Sequence, residues 1–569
     1  MTERMPRPDN ASRENATPRP AGTSYIRPQD RKLHDPAVSF EEYHYYALRT
    51  REEERELPSV KTDWRSLLLR KKLARDIAQR ASFPNDSAEQ KGHDRNINLS
   101  RKANRLEISD QEWTDASRAF RTASWGACFY LITTDILGPG AGIALYTVFG
   151  LCAGYSGYLL WHAFLGLDSY KFPLKNYSDL AFRVYGSTAR YITATLQALA
   201  LLLILGQVTI QQGQANSEIS KFRLCYAVCP ILFLVVGFAI GQIKTLKSYG
   251  CVFNLAVWLN LLVIFITMGA FAHTPPNYAI SVLGSAGGLV DPTTIKPDTQ
   301  NYPPIIHYSG MPPSGSSIAA LNGLLSGVFA YGGAQLFVEF MAEMRRPRDF
   351  IFAMWGAQFF IYAVYLIYGC YTYYFQCQYS YQISYQGVSH YGLQTAGNAI
   401  GLLSGLIAAG LYGNIGIKVL YNNVLIDLFG ASPLITKGGK IIWTILVPIW
   451  WSIAFVIAAA IPDYFGFVSV VAAATIMQFS YSTVGQGFDP QTGVVHRRYS
   501  GFEYWARGFI SGGPRQVVLN VIHVVYCLGA WVVAGLGLYA AIEGMIEAFK
   551  IPQVNSFTCV SPLNLNAGG

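Results

Sequence analysis

The sequence predicts an all-α polytopic membrane protein behind a hydrophilic amino-terminal tail, and three observations predict it. The 569 residues are 51% hydrophobic and only 14% charged, where a soluble protein carries about 25% charged residues. The charge is concentrated at one end: residues 1–120 hold 23 of the 44 Lys and Arg and 20 of the 35 Asp and Glu. Beyond them, apolar runs recur, each long enough to cross a hydrocarbon core about 30 Å thick as a helix.

The tail, 1–120, starts rich in Pro, Asn, Arg and Asp and reads as largely disordered. Three pieces have helix formers with interspersed charge: SFEEYHYYALRTREEERELP, DWRSLLLRKKLARDIAQRA and SDQEWTDASRAF. The last opens with a capping box, Ser109 to Glu112, and leads into the first span. The second reads as a solvated charged helix or, alternatively, as a basic segment lying on an anionic leaflet. The net charge of +9 does not indicate nucleic acid, because the tail's own excess is three basic residues (23 against 20). No apolar core of signal-peptide length occurs in the tail.

Eleven spans are expected in a transmembrane domain over 121–545, near 121–143, 146–168, 190–213, 224–243, 249–272, 316–344, 350–375, 395–420, 441–461, 463–484 and 516–542. Residues 546–569 form a short carboxy-terminal tail. Placing the amino terminus in the cytoplasm puts fifteen basic residues in inside loops, among them Lys171, Lys175, Arg183, Arg190 and the 345–348 cluster, against Lys221, Arg223, Lys296 and Lys550 outside. That asymmetry sets the orientation. All five Asn-x-Ser/Thr sequons, Asn176 included, then fall inside. The nine cysteines contain no CxxC pair, so no zinc site or disulfide framework is indicated. Cys377 and Cys559 share the outer side and are the pair whose bridging the orientation permits.

Two of the spans are interrupted. The first contains ITTDILGPGAG (132–142), and the sixth contains GVFAYGGAQLFVEFMAEM, in which Ala330, Tyr331, Gly332 and Gly333 fall about half a bilayer deep. Gly and Pro there release backbone N–H and C=O groups from the helical ladder. Such groups are tolerated at membrane depth only where they line a cavity or a ligand. Either interruption alone is equally well a kink; two of them, five spans apart, point to a site between two inverted repeats. Freed N–H groups attract a carboxylate and freed carbonyls an ammonium, so a zwitterion with both on one carbon, an amino acid, matches.

Charges inside the spans are few, and each needs a reason. Asp135 stands before the first break, as a carrier of a coupling proton, a partner of a substrate ammonium or a polar anchor; Thr133 and Thr134 add hydroxyls, and Gly138 and Gly140 form the break. Glu339 and Glu343 share a helical face in span 6. Glu339, the deeper, is a second proton-carrier candidate, and Glu343 is expected to pair with Arg345, Arg346 and Arg348. Lys418 is expected to snorkel to the interface; His162 and His523 could titrate but read rather as satisfied packing residues, and Tyr412–Gly413–Asn414 could face the site on fold analogy alone. The chain has no HExxH, P-loop or Gly-x-Ser-x-Gly, so it is not read as an enzyme.

TTDILGPG in span 1, NYSDLAFRVYG before span 3 and AYGGAQLFVEFMAEMRRPRDF from span 6 onward resemble the amino acid/auxin permease family, in its fungal form, within the amino acid–polyamine–organocation superfamily. The resemblance covers about 121–545. It implies eleven helices in a five-plus-five inverted repeat of the leucine-transporter type, with helices 1 and 6 broken. It further implies amino acid transport by alternating access, coupled to H⁺ or in some members to Na⁺, without a cofactor. Here the first span departs from the family pattern: 121–168 must supply two spans and a break, which shortens its outer half. Small and aromatic residues around the breaks point to a neutral substrate. The expected partners are that amino acid and the lipid of a plasma or vacuolar membrane, with no nucleic acid and the oligomeric state open. The alternative reading is an amino acid receptor of the same fold that signals through its tail.

Overall fold

A computed structural model of the protein describes residues 40–56, 143–243, 246–278, 317–344, 346–426, 436–461, 464–479 and 513–548, together with short pieces near 25–26, 108–109, 304–305, 429–434 and 557–564. All of the expected first span, 121–143, but its last residue lies outside the described residues, with Thr133, Thr134, Asp135, Gly138 and Gly140, as do the tail segments 63–81 and 110–120. Among the described residues the only strands are Tyr25–Ile26 and Ile108–Ser109, a two-residue antiparallel pair. The rest is a helical bundle.

The helices are α1 (Phe40–Glu56), α2 (Ile143–Leu167), α3 (Tyr177–Tyr185), α4 (Ser187–Ile219), α5 (Val228–Gly241) and α6 (Leu246–His273), then α7 (Ser317–Ala330) and α8 (Phe337–Glu343). After them come α9 (Phe350–Gln376), α10 (Tyr391–Leu420), α11 (Lys437–Ala460), α12 (Tyr464–Val471) and α13 (Gly513–Ala548). Seven of these are long and apolar enough to cross a membrane, and the bent pair α7–α8 raises the number to eight. The chain is an integral, multi-pass membrane protein.

α4 is the axis of the bundle. It packs against α3, α5, α10, α11 and α12. The apolar windows of α4 and α10 are 61% and 67% buried, against 22–39% in the other five spans, so these two stand inside the ring rather than against lipid. Their sequences explain the placement. α4 carries Gln197, Gln207, Gln211, Gln212 and Gln214, all buried, and amides on a lipid-facing helix would go unbonded. Outer positions are filled instead by side chains such as Phe265, Phe359 and Val525, all exposed on the bundle surface.

One part of the tail is not free. α1 lays Tyr43, Ala47, Thr50, Arg51 and Glu54, one helical face, against the loop that follows α2. Arg51 donates to Glu54 Oε2 and to Asp168 Oδ2, both at 2.7 Å, and also to the Asp168 carbonyl at 3.0 Å. Asp168 in turn accepts from the Leu174 N–H, Thr50 accepts from the Tyr170 N–H, and Arg183 of α3 stacks on Tyr43. A charged helix is buried here because its charges meet partners on the bundle.

The cysteines correct the expectation. Cys559 is joined to Cys225, and Cys377 is not its disulfide partner. The sequence placed Cys225 inside span 4, whereas α5 starts only at Val228 and leaves Cys225 in the preceding turn. The carboxy-terminal strand of chain lies along that turn, with the Tyr226 N–H donating to the Cys559 carbonyl at 3.0 Å.

Arg51→Ala takes this cation away from buried Asp168, a loss of about 3–5 kcal/mol. The expected outcome is release of α1, seen as a large rise in amide hydrogen exchange across 40–56 with α4 unchanged.

Candidate functional site

The interruption in the 317–343 span is a true break. α7 ends at Ala330, Tyr331 turns out of the helix at φ −112° and ψ 24°, and Gly332–Leu336 form a 3₁₀ stretch before α8 begins. The two halves are bent by 42°. Neither Gly332 nor Gly333 is among the glycines with positive φ. What Gly332 provides is room: a Cβ there would sit 3.0 Å from the Cγ2 and Cδ1 atoms of Ile476. Ile476 closes a π-helical stretch, Ala472–Ile476, that follows α12, so two irregular backbone segments meet at this point. π-turns of this kind are frequent at functional sites.

A polar side chain from α4 satisfies the broken ladder. Gln197 Nε2 donates to the Gln335 carbonyl in the 3₁₀ stretch at 2.9 Å and to Glu339 Oε1 at 2.6 Å. Glu339 is buried, its Oε2 has no hydrogen-bond partner, and no basic residue pairs with it among the described residues. The amino end of α3, at Tyr177 in the NYSDLAFRVYG segment, lies beside the same carboxylate. Asn176 caps that helix by accepting from the Asp179 N–H at 2.9 Å.

On the other side of the break, Tyr331 packs in an aromatic cluster with Tyr146 and Tyr365, ring centroids 6.3 and 6.4 Å away. Its hydroxyl is buried and unbonded among the described residues. Tyr365 also lines a cavity of about 120 Å³ enclosed by α4, α6, α7, α9, α10, α12 and the 382–385 turn. Among the described residues the cavity wall contains no Asp, Glu, Lys, Arg or His. Its polarity comes from Gln207, Gln211, Gln212, Asn260 and Gln382 and from tyrosines. Gln207 Nε2 donates to the Tyr464 hydroxyl at 3.1 Å, and Gln211 Nε2 to the Tyr385 hydroxyl at 3.0 Å. The Oε1 atoms of Gln207, Gln212 and Gln382 are buried without partners among the described residues. The arrangement is suited to a small uncharged group that hydrogen-bonds.

Of the residues singled out from sequence, Tyr412 lines this cavity. Ala330, Tyr331, Gly332 and Gly333 form the break next to it, joined to it through Tyr365, and Glu339 sits below the break on Gln197. Two expectations are corrected. Glu343 is attracted by Lys418 of α10, while Arg346, of the described arginines in the expected cluster, turns to Asp349 at 3.6 Å; Lys418 is half-buried. Asn414 turns away from the site, donating to the Ile243 carbonyl at 2.6 Å. His523 packs against Tyr155 and is satisfied by a hydrogen bond with its hydroxyl at 2.5 Å, in keeping with a packing role. The α4 glutamines were missed, although their spacing on an otherwise apolar run was a visible signal. The sequence matches no model of a known protein family, and comparison with characterised proteins finds no match either.

The contact with Ile476 makes Gly332 the sensitive position of the pair. Gly332→Val is expected to lower stability by about 1–3 kcal/mol through overpacking, read as a reduced Tm of the detergent-solubilised protein. Gly333→Ala, where the nearest atom to a Cβ is Phe337 Cε1 at 3.6 Å, is expected to change it little.

Proposed function

We propose that the chain is a proton-coupled secondary active transporter of neutral amino acids, of the amino acid/auxin permease type, working by alternating access. The observation that carries this reading is the break at Tyr331–Gly333, set between an uncharged polar cavity and a buried carboxylate that no basic residue neutralises among the described residues. Backbone groups freed at such a break suit the carboxylate and ammonium of an amino acid. A wall without charge suits a neutral side chain, because an ionised one would be buried with no counter-charge. Glu339 is the proton carrier in this reading, with Asp135 as its counterpart in the first span and Thr133, Thr134, Gly138 and Gly140 completing the substrate site.

The eleven-span count then comprises the seven long helices, the α7–α8 pair, the shorter apolar helices α5 and α12, and the segment 121–142. A five-plus-five repeat of the leucine-transporter type follows, with α7 opening the second half. The Cys225–Cys559 disulfide supports the orientation, since disulfides persist in oxidising compartments and this one is at the end that the basic residues leave outside. The amino terminus is then cytoplasmic, and a plasma or vacuolar membrane fits equally. A second reading, an amino acid receptor signalling through its tail, has one observation in its favour: α1 is seated on the bundle through buried Arg51 and Asp168.

Purified protein in proteoliposomes, given labelled neutral amino acids, is expected to accumulate them under an inward pH gradient. Glu339→Gln is expected to abolish that accumulation while leaving counterflow exchange. Binding without uptake would favour the receptor, and loss of neither activity in the variant would remove Glu339 from the mechanism.

A further inference from the structure

A second buried carboxylate stands at the opposite end of α4. Glu218 lies 21 residues beyond Gln197, about 31 Å along the helix axis at 1.5 Å per residue, in the last turn before the disulfide-bonded segment. It is buried to 3% exposure. Its Oε2 accepts from Asn398 Nδ2 at 2.7 Å and its Oε1 from Gln394 Nε2 at 3.3 Å, both on α10. Both partners are neutral amides, and none of its contacts among the described residues is a cation.

A buried carboxylate on a neutral amide therefore occurs at each end of α4: Gln197 of α4 with Glu339 of α8 near one end, and Glu218 of α4 with Asn398 of α10 at the other. Between them runs a polar stripe, Gln207, Gln211, Gln214 and Glu218, at intervals of four, three and four residues, which places them on one helical face. Gln207 and Gln211 line the central cavity, and Gln214 accepts from the Tyr381 hydroxyl at 3.2 Å. The stripe joins the cavity to Glu218.

The titratable and charged groups around Glu218 leave it alone with its amides. Tyr385 faces it from the 381–388 turn, and Tyr391 of α10 donates to the Ile219 carbonyl. Lys221 is exposed and lies over the Tyr391 ring, 4.3 Å from its centroid; Arg223 and His390 are exposed too. A carboxylate buried in a membrane protein without a cation is by default functional.

We propose that Glu218 is a second proton-binding site of the transporter, the one that exchanges with the disulfide-bearing side. The proposal rests on the proton-coupled reading above. The amide donors turned toward the carboxylate stabilise its ionised form, and they argue against a metal ion, which would meet N–H groups instead of oxygens. Asn398 Oδ1 has no partner among the described residues, so a half-turn of that amide forfeits no bond on its oxygen and presents an acceptor to the protonated acid. Protonation takes one H⁺ from the aqueous side onto a carboxylate oxygen, and release returns it, with no other bond changed.

The test uses the full chain in proteoliposomes, wild type against Glu218→Gln, reading uptake of labelled neutral amino acid against pH on the disulfide-bearing side, and counterflow at equal pH. The expected result is counterflow retained within about twofold while the pH dependence of uptake flattens. Glu218→Asp is expected to restore that dependence. Asn398→Leu, which keeps the carboxylate, is expected to displace the midpoint of the profile and gives an independent reading if Glu218→Gln does not fold. A Glu218→Gln profile identical to wild type overturns the proposal and spares the transporter reading. A sodium-driven uptake that Glu218→Gln abolishes overturns the proton assignment. Absence of any pH-driven uptake in the wild type overturns both.

Discussion

The two hydrogen bonds from Gln197 Nε2, to the Gln335 carbonyl and to Glu339, are what the rest of the site depends on. A helix can be opened at membrane depth only if the groups it releases find partners, because hydrocarbon offers none. α4 supplies the partner, and it can do so because it runs through the middle of the bundle with its amides facing inward. The same placement brings Gln207 and Gln211 to the cavity. One polar helix thus fixes the position of the break, the buried carboxylate and the cavity wall relative to each other.

The interruption at 330–333 was legible in the sequence because two adjacent glycines weaken the helical ladder in the middle of a run that is otherwise long and apolar enough to span. The reason for Gly332 was not, since it depends on the approach of Ile476, 144 residues further along the chain. The span boundaries after residue 143 were legible from hydropathy alone and fall within a few residues of the helices for most elements. The inner position of α4 was not drawn from its glutamines, because each amide adds little to a run whose hydropathy is set by Leu, Ile and Ala.

Long-range pairing escaped the sequence altogether. The segment that forms α1 shows in the sequence only helix formers with interspersed charge, and the meeting of Arg51, Glu54 and Asp168 is what shows that it is seated on the bundle. The disulfide was misread for a related cause: the partner of Cys559 is decided by where the carboxy-terminal segment lies, and Tyr226 holds it beside Cys225. The two ends of the bundle are therefore tied differently. One end is held by charged groups that can separate, the other by a covalent bond. In the proposed transport cycle this places the adjustable end on the side of Glu339.

The central claim is that an amino acid binds at the Tyr331–Gly333 break with its side chain in the cavity walled by Gln207 and Tyr412. The most direct measurement is a cryo-electron microscopy structure of the protein in lipid nanodiscs, saturated with the neutral amino acid that binds it most tightly. The account predicts ligand density against the backbone of Tyr331–Gly333, with the side chain directed at Gln207. Density confined to another part of the molecule, or an empty break in a structure where the ligand is otherwise bound, would contradict it.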